Sequence, residues 1–143
     1  MNHPYKYIGC FVPFQELYDK VNCIRKEPLP KTIRDPHVTF AYMPRTVDET
    51  LFGEEMTIKM IGYGNDGRNE GVKVELSADN PVLKEMMKRI EVPHITLAVS
   101  EEGAPVDTGK LHFEPIEPIM IVGKFGGFIE CGSVITSRCQ VMG

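Results

Sequence analysis

The chain contains no tryptophan, and its four cysteines form no C-x-x-C pair. Cys10, Cys23, Cys131 and Cys139 also lack the spacing to histidine that a tetrahedral zinc site needs. Cys10 and Cys131 fall inside apolar runs, where a free thiol packs as a small hydrophobe. All four are expected to be reduced, as thiols are in the cytoplasm. No apolar run approaches the ~20 residues that cross a bilayer. Residues 1–6 (MNHPYK) lack the basic stretch followed by an apolar one that marks an export signal. The expectation is a cytoplasmic protein with no membrane contact. Basic charge is not in excess either: the formal net charge is −4 and the isoelectric point about 5.6. A protein that grips a long duplex or RNA presents a basic face, because phosphate contacts dominate that affinity. This balance disfavours an extended polymer and suits a small or terminal phosphate held in a local pocket.

What is present is the length of one compact domain, 143 residues, enough to bury roughly two-thirds of the surface of the unfolded chain. The eleven prolines and thirteen glycines punctuate apolar runs, which predicts many short elements joined by tight turns. Residues 5–12 (YKYIGCFV) read as a strand. Pro13 then opens a helix whose apolar positions are Phe14, Leu17, Tyr18, Val21 and Ile24. Further strands are predicted at 37–43 and 56–63, with a turn at Asn65-Asp66-Gly67. A second series follows: a strand at 72–76, a helix capped by Asn80 with Pro81 at its first position, and a strand at 94–100. Strands at 116–122 and 125–131 and a weaker one at 134–136 complete the chain. Each half runs strand, helix, Pro-His strand, strand. The expected fold is α+β, two lobes of roughly residues 1–66 and 67–143 related by a pseudo-twofold, with two mainly antiparallel sheets lining a central cleft.

Pro36-His37-Val38-Thr39-Phe40 and Pro93-His94-Ile95-Thr96-Leu97 share one form: Pro, His, β-branched apolar, Thr, large apolar. Side chains at i and i+2 of a strand share a face. His37 and Thr39 therefore project together, opposite Val38 and Phe40, and His94 and Thr96 do likewise over Ile95 and Leu97. Two such faces meeting in a cleft suit phosphodiester cleavage. One neutral imidazole accepts a proton from the attacking oxygen, and the other, as imidazolium, protonates the leaving oxygen. The threonine hydroxyls donate to the non-bridging phosphoryl oxygens, where charge gathers in the transition state. This chemistry requires no metal and no cofactor, and the two histidines lack the carboxylate or cysteine at matching spacing that a metal site would add.

At these residues the chain resembles the 2H phosphoesterase superfamily (LigT-like proteins), whose signature is two His-x-Thr/Ser-hydrophobic motifs in a duplicated, bilobed α+β fold. Residues 93–111 (PHITLAVSEEGAPVDTGKL) look like the second-motif region of the cyclic phosphodiesterase domain of tRNA ligases and related RNA-repair proteins. The resemblance implies that His37 and His94 are catalytic and that Thr39 and Thr96 bind phosphate. It also implies an RNA end or small nucleotide as substrate, a 2′,3′-cyclic phosphate above all, with no obligate protein partner. 2′–5′ linked or cyclic oligonucleotide signals, as degraded by some viral and phage relatives, are the alternative substrates. A module that holds a nucleotide without turning it over is the alternative outside catalysis.

Other patterns read as structural. Gly62-Tyr63-Gly64-Asn65-Asp66-Gly67 matches G-x-G-x-x-G but precedes a strand, whereas a dinucleotide fingerprint opens a helix. Residues 123–127 (GKFGG) read as a hairpin turn from which Lys124 could reach a phosphate. Arg34, just ahead of the first motif, is either a solvated loop charge or a substrate guide. The pair Met86-Met87 reads as core packing. His3, close to the terminus, is expected to be exposed, and His112, with no matching threonine, is expected to be structural.

Overall fold

The computed structural model describes residues 4–129 and 132–136. His3, Cys131 and Cys139 lie outside them. In chain order the strands are β1 (Tyr5–Phe11), β2 (Lys31–Thr32), β3 (His37–Tyr42), β4 (Glu55–Asn65), β5 (Asn69–Ser77), β6 (His94–Val99), β7 (Glu114–Ile129) and β8 (Val134–Ile135). Helix α1 (Phe14–Val21) follows β1 and helix α2 (Pro81–Lys88) follows β5. Short 3₁₀ helices occupy Glu49–Leu51 and Pro105–Lys110. The protein is thus an α+β fold rich in antiparallel sheet, with few helices.

Local chemistry sets most boundaries. Pro13 precedes α1 in an extended conformation. Asn80 caps α2 through its side-chain oxygen, which accepts from the Val82 and Leu83 amides, and Pro81 takes the first helical position. The turn between β4 and β5 is closed by Asp66 Oδ1, which accepts from the Arg68 and Asn69 amides at 2.9 and 2.8 Å. Gly67 supplies the positive φ of 85° there.

The strands form one hydrogen-bonded sheet in the order β2-β6-β5-β4-β7-β1-β3, with β8 added to β7. Two sheets were expected, and β4 is the reason for the difference. It pairs with β5 on one side and with β7 on the other, so the ladder is continuous between the halves. One face of the sheet carries the core, with Ile8, Cys10, Val38, Met56, Ile58, Met60, Val72, Ile95, Leu97, Ile121 and Phe125 buried against Leu17 and Val21 of α1 and Leu83 of α2. The opposite face carries Phe11, His37, Lys73 and His94 in cross-strand register.

Residues 123–127 do not turn: β7 runs straight through them as a 16-residue strand. The glycines serve close approach instead. A Cβ on Gly123 would lie 2.5 Å from Cys10 Sγ, and one on Gly127 would lie 2.4 Å from the Tyr5 ring. Helix α1 is also shorter than its apolar spacing predicts. It stops at Val21, and Ile24 and Arg25 both donate their amides to the Val21 carbonyl, closing a turn.

That turn delivers Arg25 to Glu70, which is wholly buried. Arg25 Nε and Nη2 donate to its two oxygens at 2.7 and 2.6 Å, and Tyr63 Oη and the Leu29 amide donate as well. Burial alone would raise the Glu70 pKa, but the hydrogen bonds from Arg25, Tyr63 and Leu29 outweigh it and hold the carboxyl below its usual range. Removing one partner of such a pair strands a buried charge. Arg25→Ala is therefore expected to cost about 3–5 kcal/mol in urea unfolding. Because the folded-state pKa is depressed, the contribution of Glu70 is full above the ordinary glutamate value of about 4.3 and fades as pH falls through the lower folded value. Glu70→Gln is expected to flatten that acid limb of the stability curve; an unchanged limb would show that other carboxylates produce it.

Candidate active site

The two Pro-His segments fold alike for a local reason. His37 Nδ1 lies 2.8 Å from the Asp35 carbonyl, and His94 Nδ1 lies 2.7 Å from the Val92 carbonyl. A carbonyl only accepts, so each Nδ1 carries a proton and each Nε2 is left free of the backbone for chemistry. The intervening proline restricts the residue before it to extended backbone, which steadies the carbonyl each ring uses. This explains the proline in both motifs.

The strand pairs that present them are also alike. On β1 and β3, Phe11 faces His37 and Gly9 faces Thr39. On β5 and β6, Lys73 faces His94 and Gly71 faces Thr96. Each ladder is irregular immediately before its glycine. A Cβ on Gly9 would lie 2.2 Å from the Val38 carbonyl oxygen, and one on Gly71 would lie 2.7 Å from that of Ile95. In both pairs the glycine lets its strand close onto the residue between His and Thr.

β3 and β6 stand far apart in the hydrogen-bonding order, yet they lie against each other in space. The chain entering β3 makes the connection. β2 pairs with β6 through Lys31–Val99 and Thr32–Ala98, and the Ile33 amide continues the contact by donating to the Leu97 carbonyl. The Tyr18 hydroxyl of α1 lies 2.6 Å from that same carbonyl and 3.0 Å from the Ile33 carbonyl. His37 and His94 thereby come within electrostatic reach. Burial lowers the His37 pKa, and a positive charge on His94 lowers it further, against the opposing pull of the Asp35 carbonyl.

The surroundings of the two rings differ. His37 is stacked on Tyr7, with centroids 4.4 Å apart and planes at 23°, and Phe11 lies 5.4 Å away. Tyr7 Oη is 3.5 Å from His37 Nδ1, a distant second contact to the Asp35 carbonyl. Tyr7 in turn stacks on Phe128 at 4.9 Å and on Tyr42 at 6.0 Å. His94 has polar company instead. Lys73 is its cross-strand neighbour, and the 3₁₀ helix Pro105–Lys110 crosses its edge so closely that a Cβ on Gly109 would lie 3.2 Å from His94 Cε1.

The threonines differ too. Thr39 is half-buried, while Thr96 is buried with its Oγ1 2.7 Å from Thr108 Oγ1 and 3.3 Å from the Pro105 carbonyl. Lys124 is exposed on β7, opposite Phe11, which separates it from His37 in the same cross-strand row, roughly 10 Å away at two strand spacings. It also faces Glu55 and lines a separate depression with Gly53, Glu54, Asp79 and Asn80. Arg34 is exposed in the loop leading to His37. His112 is exposed and pairs with Glu114 at 3.0 Å. Among the described residues no three His, Cys, Asp or Glu side chains converge as a metal-ligand set, and no helix is long and apolar enough to cross a membrane.

Sequence reasoning named the two histidines and two threonines but not Tyr7, Lys73, Asn69 or Thr108, which surround them. Nothing in their local spacing marks them; strand register and one short 3₁₀ helix bring them in. No protein-family model matches the chain, and no curated protein matches it.

The proximity of the rings makes a direct prediction. In an NMR titration of the imidazole Cε1–H signals, His37 is expected to titrate below the ordinary value of about 6.5. In His94→Gln its pKa is expected to rise, since a like charge has been removed. An unmoved His37 titration would mean that the two rings do not sense each other.

Proposed function

We propose that this chain is a metal-independent phosphodiesterase of the two-histidine, LigT-like type. Its preferred reaction is the opening of a 2′,3′-cyclic phosphate on an RNA end or nucleotide. The observation that carries the reading is the matched pair of imidazoles, each with Nδ1 engaged by a backbone carbonyl and Nε2 free, brought together by β3 and β6. The glycine-faced, irregular strand pairs around Thr39 and Thr96 support a duplicated, bilobed origin for the site. A cytoplasmic setting belongs to the same proposal.

In this mechanism His37 is the general base, because burial keeps its imidazole neutral. It takes a proton from water as the water oxygen attacks phosphorus. The bond from phosphorus to one ribose oxygen breaks, and His94, as imidazolium, gives that oxygen its proton. The product is a phosphomonoester, and the proton moves back from His37 to His94 through solvent. Thr39 and Thr96 donate to the non-bridging oxygens.

The test is hydrolysis of 2′,3′-cyclic AMP in EDTA. His37→Ala and His94→Ala are each expected to abolish nearly all turnover. Thr39→Ala and Thr96→Ala are expected to lose on the order of tenfold to a thousandfold. The pH profile of kcat/KM is expected to be bell-shaped, with two limbs that belong to the histidine pair. Full activity in either histidine variant would remove the assignment. Inertness toward cyclic mononucleotides with cleavage of 2′–5′ linked or cyclic oligonucleotides would favour the signal-nuclease reading. Retention of an unchanged nucleotide over hours would favour a binding module.

A further inference from the structure

Behind Thr96 lies a chain of buried polar side chains that the two-histidine mechanism does not use. Asn69, at the start of β5, and Thr108, in the 3₁₀ helix, are both buried. Asn69 Nδ2 is 2.5 Å from the Ala104 carbonyl and 2.9 Å from Thr108 Oγ1. The Ala104 carbonyl only accepts, so the amide nitrogen, not its oxygen, occupies this position. Both of its protons are then committed, one to Ala104 and one to Thr108.

That commitment sets the direction of the next bond. Either hydroxyl of the Thr96–Thr108 pair, 2.7 Å apart, could donate. Thr108 Oγ1 already accepts from Asn69, so its own proton needs an acceptor, and Thr96 Oγ1 is the one within reach. If Thr96 donated instead, the Thr108 proton would be left unpaired in a buried place, a costly arrangement. The order is therefore Asn69 to Thr108 to Thr96. The Thr96 proton is left with only the Pro105 carbonyl at 3.3 Å, beyond the usual O–H···O range. A phosphoryl oxygen would take that proton in a shorter, charge-assisted bond.

Resting on the two-histidine reading, we infer that Asn69 and Thr108 are positioning residues that orient the Thr96 hydroxyl as a donor to the substrate phosphoryl group. The fold protects the arrangement. A Cβ on Gly71, the residue facing Thr96, would lie 2.4 Å from Thr108 Cγ2, so the glycine makes room for Thr108. At the other motif the three atoms nearest a Cβ on Gly9, the residue facing Thr39, are backbone atoms of Val38 and Thr39, with no second threonine among them. The two threonines thus do unequal work, and the phosphoryl oxygen beside His94 is the more strongly oriented.

The test compares Thr108→Val, Thr108→Ser, Thr96→Val and Thr96→Val/Thr108→Val. It reads kcat and KM on 2′,3′-cyclic AMP, inorganic phosphate affinity by calorimetry, and thermal melting for the fold. Thr108→Val is expected to lower kcat roughly tenfold with KM little changed, and to weaken phosphate binding. Thr108→Ser is expected to restore most of both, and Thr108→Val is expected to add almost nothing once Thr96 is valine. Asn69→Asp, which cannot donate to Thr108, is expected to reproduce the loss and decides the matter if Thr108→Val does not fold. Independent, multiplying losses from Thr96 and Thr108, or a serine variant no better than valine, would overturn the relay while the enzyme reading stands. A wild-type protein that neither hydrolyses the substrate nor binds phosphate through Thr96 would overturn both.

Discussion

The site depends on the contact between the segment entering β3 and the backbone of β6. The Ile33 amide donates to the Leu97 carbonyl, β2 pairs with Val99 and Ala98, and the Tyr18 hydroxyl of α1 closes over the junction. Hydrogen bonding along the sheet by itself would leave the two histidine strands separated by four others. The short β2 segment short-circuits that path, because the four residues after it lead straight into His37. Arg25 and Glu70 serve the same end from the other side, anchoring the loop that precedes β2 to the start of β5. Helix, loop and strand are thus committed together to placing one imidazole opposite another.

Within that frame the two halves of the site share a backbone device but differ in environment. The carbonyl two residues before each histidine directs Nδ1, so both rings offer the same nitrogen. Around His37 the stacked neighbours are aromatic, and desolvation favours the neutral ring against the pull of the Asp35 carbonyl and carboxylate. Around His94 they are Lys73, Gly109 and the hydroxyl chain through Thr96. The two walls thus differ although the motifs are nearly identical in sequence, and the proposed division into base and acid would draw on that difference.

Much of this was legible in the residues. Alternation in residues 37–40 and 94–97 placed the histidines and threonines opposite the core, and Val38, Ile95 and Leu97 are wholly buried as that pattern requires. The Asn80-Pro81 cap and the Asn65-Asp66-Gly67 turn form as local chemistry predicts. Two readings failed for a common reason. Gly123, Gly126 and Gly127 resemble a turn in sequence, yet they lie in the middle of β7, where neighbouring strands and the Tyr5 ring leave no room for a side chain. The absence of a Cβ permits a turn or a close approach, and only the neighbours decide between them. The single continuous sheet was likewise invisible, because β4 and β7 pair across roughly fifty to seventy intervening residues with no local signal.

Residue order alone therefore determined what local forces control: which segments extend, which coil, which side chains share a strand face, and that the Pro-His-x-Thr unit occurs twice. Tertiary structure decided everything that depends on distant partners. It set the curl that brings β3 to β6, the aromatic wall on His37, the register that pairs Lys73 with His94, and the burial of Asn69 and Thr108 behind Thr96. The division follows from range. Backbone preference and periodicity act over a few residues, whereas desolvation, register and hydrogen-bond direction belong to neighbours that the chain brings together only once it has folded.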